Sequence, residues 1–301
     1  MSLKGVVERA AVASGIVGYR RARQTGTLVL AYHNIVPDHH PPGGDQSLHL
    51  PRSRFAEQLD ELMATCDVVP LETALGPTSA RRRGRPRVVI TFDDCYAGAV
   101  SLGASELNRR GLPATYFVAP GLLEGSTFWW DALADAATGL APATREHVLT
   151  ACQGRGDQAA AWAASTGVAW RPQEGPTVSC SAAALDQLTA AGAFTLGCHT
   201  WSHPNVERLT PAEVHEELAR TAQWLSDRNP AAARPWISWP YGLNDRSAHE
   251  AARALGYQAA FRVDGGWMIE GQTGFELPRF NVPAGLSLDG FRIRLAGLLA
   301  S

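Results

Sequence analysis

Short apolar runs recur along the chain and alternate with stretches whose apolar residues fall three and four apart. The runs are "TLVLAYH" (27–33), "CDVVPL" (66–71), "RVVITFD" (87–93), "ATYFVA" (114–119), "FTLGCH" (194–199), "PWISWP" (235–240), "YQAAFRV" (257–263) and "LPRFNV" (277–282). Such runs predict strands, and the helical spacing between them predicts β/α units around a mainly parallel sheet. Eight strands is the number that closes a (β/α) barrel. "SRFAEQLDELMATC" carries a stripe of Phe55, Leu59 and Leu62. "TPAEVHEELARTAQWLSDR" opens with Thr210 as cap, Pro211 at the first position and Glu213 in the first turn. Residues from about 122 to 180 break the rhythm and read as a helical insertion between two strands. The expected organisation is an N-terminal helix over 1–26, packed on a single α/β domain over 27–301.

Composition narrows the picture without changing it. The 301 residues are 45% hydrophobic and 19% charged, with a net charge of −2. That is ordinary globular chemistry, and its charge predicts neither nucleic acid nor membrane as a partner. Five cysteines, with no CxxC pair, argue against a disulfide framework and fit a reducing, cytoplasmic compartment. Glu8 and Arg9 interrupt the apolar N-terminal stretch, unlike a signal peptide, and no run reaches the length of a membrane span. The basic end of that helix, Arg20, Arg21 and Arg23, has two readings: a solvated helix end, or peripheral contact with an anionic membrane surface. "ARRRGRPR" (80–87) reads as an exposed loop before a strand, with anion binding as its alternative.

The chemistry gathers where a barrel would put it, at the C-terminal ends of strands. Asp93 and Asp94 end one run, and two adjacent acids need a reason to be there. Capping the next helix is the plain one. His199 ends another run, with His203 four residues on, a spacing that lets both imidazoles face one point. His33 and Tyr241 fall at strand ends as well. Two His and one Asp make a three-ligand set for a borderline divalent metal, with one position left open.

"TFDDCYAG", "HTWSHP" and "WPYG", in this order, resemble the first three motifs of the polysaccharide deacetylases (the NodB-homology group, carbohydrate esterase family 4). "LAYHNIVP", "FWWD" and "ELPRFNV" agree with that resemblance, which runs from about residue 28 to 283. It implies a distorted (β/α) barrel and metal-dependent removal of an N-acetyl group from an amino sugar. By similarity, Asp94, His199 and His203 hold the metal, Zn²⁺ by default with Co²⁺, Ni²⁺ or Fe²⁺ also suited to the ligands. Asp93 becomes the general base, and the backbone N–H of Tyr241 faces the developing oxyanion. Thr200 is expected to hydrogen-bond within the loop and help hold His203. Trp201, Trp239 and Trp267 are candidates for walling a sugar subsite or for plain core packing.

The match also departs from its family. Cys95 stands where a glycine is usual, as a small buried filler or an extra ligand. Ser238 stands where an arginine often orients the base, and Arg279 in "LPRF" is the candidate substitute. No histidine follows His249, so the usual late acid is missing, and His33 is the candidate in its place. The implied partner is an N-acetylated carbohydrate, with oligomeric state left open. The alternatives are an O-acetyl esterase on a glycan, and a metal-bound carbohydrate-binding protein that has lost its acid.

Overall fold

A computed structural model describes residues 3–76, 84–190 and 193–298. Its strands are β1 (Thr27–Tyr32), β2 (Asn34–Val36), β3 (His49–Pro51), β4 (Asp67–Val68), β5 (Arg87–Phe92), β6 (Ala114–Val118), β7 (Phe194–Cys198), β8 (Ala233–Ser238), β9 (Ala259–Phe261), β10 (Trp267–Met268), β11 (Gly274–Leu277) and β12 (Phe280–Asn281). Ten of them form one sheet, in the order β10-β1-β5-β6-β7-β8-β9-β11, with β4 also on β5 and β12 on β1. All pairings in it are parallel except that of β10 with β1. At one edge β11 lies on β9, and at the other β12 lies on β1. Only Pro278 and Arg279 separate β11 from β12, so the chain steps across the gap and nearly closes a distorted barrel.

Two expected strands change shape, and a proline accounts for each. The run at 66–71 shrinks to Asp67–Val68, because Pro70 opens a helix over Leu71–Leu75. The run at 277–282 divides at Pro278, which has no N–H to give a ladder. The small parallel sheet of β2 and β3 lies outside the predicted runs. Of "ARRRGRPR", residues 80–83 lie outside the described residues. Arg85 is tied down, its guanidinium donating to Asp67 Oδ1 at 3.1 Å and to the Ala64 carbonyl at 2.8 Å.

Alternation along the strands sets the two faces of the sheet. Leu28, Leu30 and Tyr32 of β1, with Val88, Ile90 and Phe92 of β5, join the outer core. There they meet Phe55, Leu59 and Leu62 of the helix Arg52–Thr65. Phe55 is fully buried, and its truncation to alanine costs about 3–5 kcal/mol in such a site. Val29 and Val89 point the other way, into a second cluster with Phe117, Trp236, Phe261 and Leu277. Two residues beyond Val89 on this inward face is Thr91, and two beyond that is Asp93. The period of the strand therefore delivers the acid to the barrel mouth.

Between β6 and β7 the helices Trp129–Leu133, Pro142–Thr150 and Gly156–Thr166 fold over one side of that mouth. The helix Pro211–Arg228 starts with the full reciprocal cap between Thr210 and Glu213. At the N-terminus, the helices Leu3–Ala13 and Ile16–Arg21 lie against the helix Leu288–Leu295. Ser287 Oγ donates to Glu8 Oε2 at 2.6 Å, and Val17 packs with Ile293 and Ala296.

Candidate metal centre

β5 ends at Phe92, and the backbone then turns through Asp94 (φ 67°) and Cys95 (φ 57°), both left-handed. Aspartate tolerates that region and cysteine does not favour it, which accounts for the glycine usual in place of Cys95. The turn sends the two neighbouring carboxylates in different directions. A similar loop follows β7, with Thr200 at φ 61° and His203 at φ 57°. Thr200 Oγ1 donates to the His199 carbonyl at 2.6 Å and accepts from the His203 N–H at 3.1 Å. From below, the buried Glu217 carboxylate accepts from the N–H groups of Trp201 (2.9 Å) and Ser202 (2.8 Å), and from Ser202 Oγ (2.7 Å). Arg155 of the insertion donates to Ser202 Oγ at 3.2 Å and Glu217 Oε1 at 3.4 Å.

Three ligand atoms then converge. His199 Nε2 and His203 Nε2 stand 3.3 Å and 3.2 Å from Asp94 Oδ1 and 3.1 Å from each other, all buried. Donor atoms about 2.0–2.1 Å from one tetrahedral ion sit about 3.4 Å apart, so the triangle has the right size. The donors also have the right protonation. His199 Nδ1 lies 2.7 Å from the Ser238 carbonyl, which can only accept, so Nδ1 carries the proton and Nε2 turns a lone pair inward. That lone pair faces another imidazole nitrogen and a carboxylate oxygen that lacks any other partner. A cation between them resolves the clash. Burial pushes the Asp94 carboxyl up, but its contacts with the two histidines outweigh this and hold it well below the usual range. Burial also lowers both imidazoles. The two carboxylates carry His199 above its ordinary value, while His203, with His199 beside it, stays below.

Asp93 does not join this triangle. Arg279 donates to its Oδ1 from Nη1 (2.8 Å) and to its Oδ2 from Nη2 (2.6 Å), a two-point grip with both side chains fully buried. Ser238 Oγ donates to Asp93 Oδ2 at 3.0 Å and accepts from Arg279 Nη2 at 2.6 Å. Thr91 Oγ1 and the Arg262 carbonyl take the remaining guanidinium protons, at 3.0 Å and 2.9 Å. Burial raises the Asp93 carboxyl, and the charge of Arg279 beside it wins, leaving Asp93 ionised below the usual carboxylate range.

Asp93, Asp94, His199 and His203 line one cavity of about 220 Å³ together with His33, Asp45, Trp130, Arg145 and Tyr241. His33 follows β1 on its inward face and has no hydrogen-bond partner among the described residues. Tyr241 is left-handed (φ 60°), and its N–H is also without a partner among the described residues. Its ring packs edge-on to His203 at 4.6 Å, and its hydroxyl accepts from Trp129 Nε1 at 2.7 Å. At two positions the structure decides between alternatives, for core packing at Trp239 and a buried filler at Cys95. Trp239 walls nothing: it is wholly buried, with Nε1 donating to the Phe275 carbonyl at 2.8 Å. Cys95 is no ligand, since its Sγ turns to the Phe117 carbonyl at 3.5 Å, outside the ligand cluster. Trp201 lies under the Arg220 guanidinium, 4.2 Å from its ring centre, and Trp267 sits in β10; neither lines the cavity.

The aromatic wall comes instead from Trp130, whose ring lies 4.9 Å from that of His203. Asp131 beside it is a buried hub. It lies 3.1 Å from His49 Nε2 and accepts from Tyr96 OH at 2.6 Å and the Asp45 N–H at 2.8 Å. Gly44 is at φ 65°, and a Cβ there would lie 2.5 Å from Asp131 Oδ1, so only glycine fits this close approach. The cluster "FWWD" was the one sign in the sequence of this wall.

The family model for polysaccharide deacetylases matches residues 80–260, which include Asp93, Asp94, His199, His203 and Tyr241 but neither His33 nor Arg279. Among solved structures, the chain is similar to the Streptococcus pyogenes deacetylase PplD in complex with acetate, at a TM-score of 0.63 and 15% identity, covering 90% of this chain and 98% of that one. It is similar to IcaB from Ammonifex degensii at 0.60 and 20%, covering 91% and 96%. It is also similar to a de-N-acetylase from Aggregatibacter actinomycetemcomitans at 0.57 and 14%, covering 88% and 98%. No curated protein matches. Likeness at these identities speaks for the fold, and the family match spans well over half the chain: it belongs to the polysaccharide deacetylase family.

Proposed function

We propose that this chain removes the N-acetyl group from an amino sugar in a glycan, glycolipid or glycoside. The observation that carries the reading is the Asp93–Arg279 grip beside the Asp94–His199–His203 triangle. A binding protein needs the three ligands alone; a fully buried acid kept ionised next to them is the requirement of a base. A divalent cation held by the triangle supplies Lewis acidity, polarising an acetyl carbonyl and acidifying a water. Zn²⁺ suits two imidazoles and one carboxylate best. Asp93 accepts the proton of the attacking water, and Arg279 fixes which lone pair it offers. The free N–H of Tyr241 stabilises charge on the acetyl oxygen as the centre becomes tetrahedral. His33, on the same cavity wall, delivers a proton to the leaving amine. The name of one structural relative, a de-N-acetylase, supports amide rather than ester chemistry.

The test is acetate release from N-acetylated glucosamine oligomers, wild type against Asp93→Asn. The variant keeps the size of the acid and removes the base. We expect it to retain one metal per chain and lose about 10²-fold or more in turnover. Full activity of the variant overturns the assignment of the base, and a wild type that cleaves only O-acetyl esters overturns the substrate.

A further inference from the structure

We infer that the N-terminal helix pair is an interfacial anchor that lies on an anionic lipid surface. The inference rests on which face of the helix Leu3–Ala13 the fold leaves outward. Leu3, Val6, Val7 and Ala10 stand at i, i+3, i+4 and i+7, so they form one stripe. On an ordinary surface helix that stripe faces the core. Here it faces solvent: Leu3 is 81% exposed, Val6 51% and Val7 60%. The face turned to the protein carries the helix's one acid instead, Glu8, buried and bonded to Ser287. The polarity of the helix is thus inverted with respect to the body it packs on.

The next helix also turns apolar side chains outward. Ile16 and Tyr19 are exposed, while Val17 packs inward on Ile293 and Ala296. Of the seven exposed large hydrophobic residues among the described ones, five fall within residues 3–19. That concentration separates this patch from the scattered apolar residues any surface shows.

Charge selects the occupant. At about 100° per residue, Lys4 and Arg9 flank the stripe on opposite sides, where long cationic side chains reach a headgroup plane while their helix sinks. Arg20 is exposed, and Arg23 lies over the Tyr19 ring at 4.9 Å and donates to its hydroxyl at 2.8 Å. From residue 3 to 23 the chain has five cations and one inward acid; Lys4 lies 3.9 Å from that acid and Arg21 3.3 Å from Glu61, while Arg9, Arg20 and Arg23 are exposed. A second copy of the same face would set cations against cations; a bilayer with anionic lipid supplies both an apolar layer and the opposite charge. At eleven residues, Leu3–Ala13 is too short to span and lies in the interface plane. This inference does not rest on the deacetylase reading.

Sedimentation with lipid vesicles tests it on the full chain. We expect binding to phosphatidylcholine vesicles containing about one third phosphatidylglycerol, little binding to phosphatidylcholine alone, and several-fold weaker binding as salt rises from about 0.05 to about 0.3 M. The double variant Val6→Gln, Val7→Gln changes only exposed side chains, so fold and any catalytic activity should be unchanged. Its binding should fall about tenfold or more. A wild type that ignores anionic vesicles overturns the inference. So does a variant that still binds them. If instead the wild type dimerises through this face without binding vesicles, and the variant is monomeric, the surface is a protein interface and the lipid reading fails.

Discussion

Asp93 and Asp94 are chemically the same residue, and the backbone between them makes them different. One left-handed turn aims Asp94 at two imidazoles and Asp93 at a guanidinium. The ligands were legible in the sequence because short motifs at strand ends carry them. Arg279 was legible for a subtler reason: Ser238 left a vacancy in "ISWPYG", and a barrel brings a late strand beside an early one. "FWWD" flagged Trp130 and Asp131 without showing what they do, and nothing flagged Arg145, because their places depend on how the insertion folds over the mouth. Trp239 stayed open between subsite wall and core packing because a strand-end position does not say which way a ring turns. His33 is the residue whose role is most open to trial. It stands in the cavity with no hydrogen-bond partner among the described residues, as a proton donor to a leaving group needs. We expect His33→Ala to keep its metal and lose amide hydrolysis steeply, while cleavage of an activated aryl acetate, whose leaving group needs no proton, falls much less. Steady-state rates on both substrates decide it, and equal losses would remove His33 from the mechanism.

At the scale of elements, the helix Pro211–Arg228 does more than cover the sheet. Its start was readable from Thr210, Pro211 and Glu213, and the reciprocal cap is present. Its function was not readable, because Glu217 looks like any charged helix residue until its carboxylate is seen under the loop of His199 and His203. That loop keeps two non-glycine residues in left-handed conformations, which cost about 1–3 kcal/mol each, and Glu217 holds it in place. Glu217→Gln removes the charge and turns half of an acceptor into a donor facing N–H groups. We expect metal affinity to fall about 10–100-fold, measured by competition with a chromogenic chelator, while circular dichroism of the metal-free protein is unchanged. The strands at 66–71 and 277–282 were readable only as apolar runs. Pro70 and Pro278 decided their true extents by removing hydrogen-bond donors.

The whole molecule is a nearly closed barrel whose eight main runs could be counted in the sequence. How the barrel closes could not, because that depends on pairings between segments some 250 residues apart. The candidate ligands join the ends of β5 and β7 across β6, so an ion bound there should stabilise the fold as well as the site. At free metal about 100 times the dissociation constant, the gain is about 2.7 kcal/mol, worth several degrees of melting temperature for a chain of this size. Calorimetry with and without exhaustive chelation measures it. We expect a lower melting temperature after chelation, restored by adding the metal back. An unchanged transition, with metal confirmed absent, would separate the site from the stability of the barrel.

The two-residue step from β11 to β12 has a consequence for how the protein comes to be active. Pro278 and Arg279 are the crossing where the sheet's two edges meet, and Arg279 is also the grip on Asp93. The ligands lie on early and middle strands and can assemble before that crossing is made; the aligned acid cannot. If Asp93 is the base, chemistry waits on the last stitch of the barrel, like a tool whose safety catch is its own closing hinge. On the proposed function, a chain with this edge unpaired would keep its three candidate ligands and lose the alignment of its base.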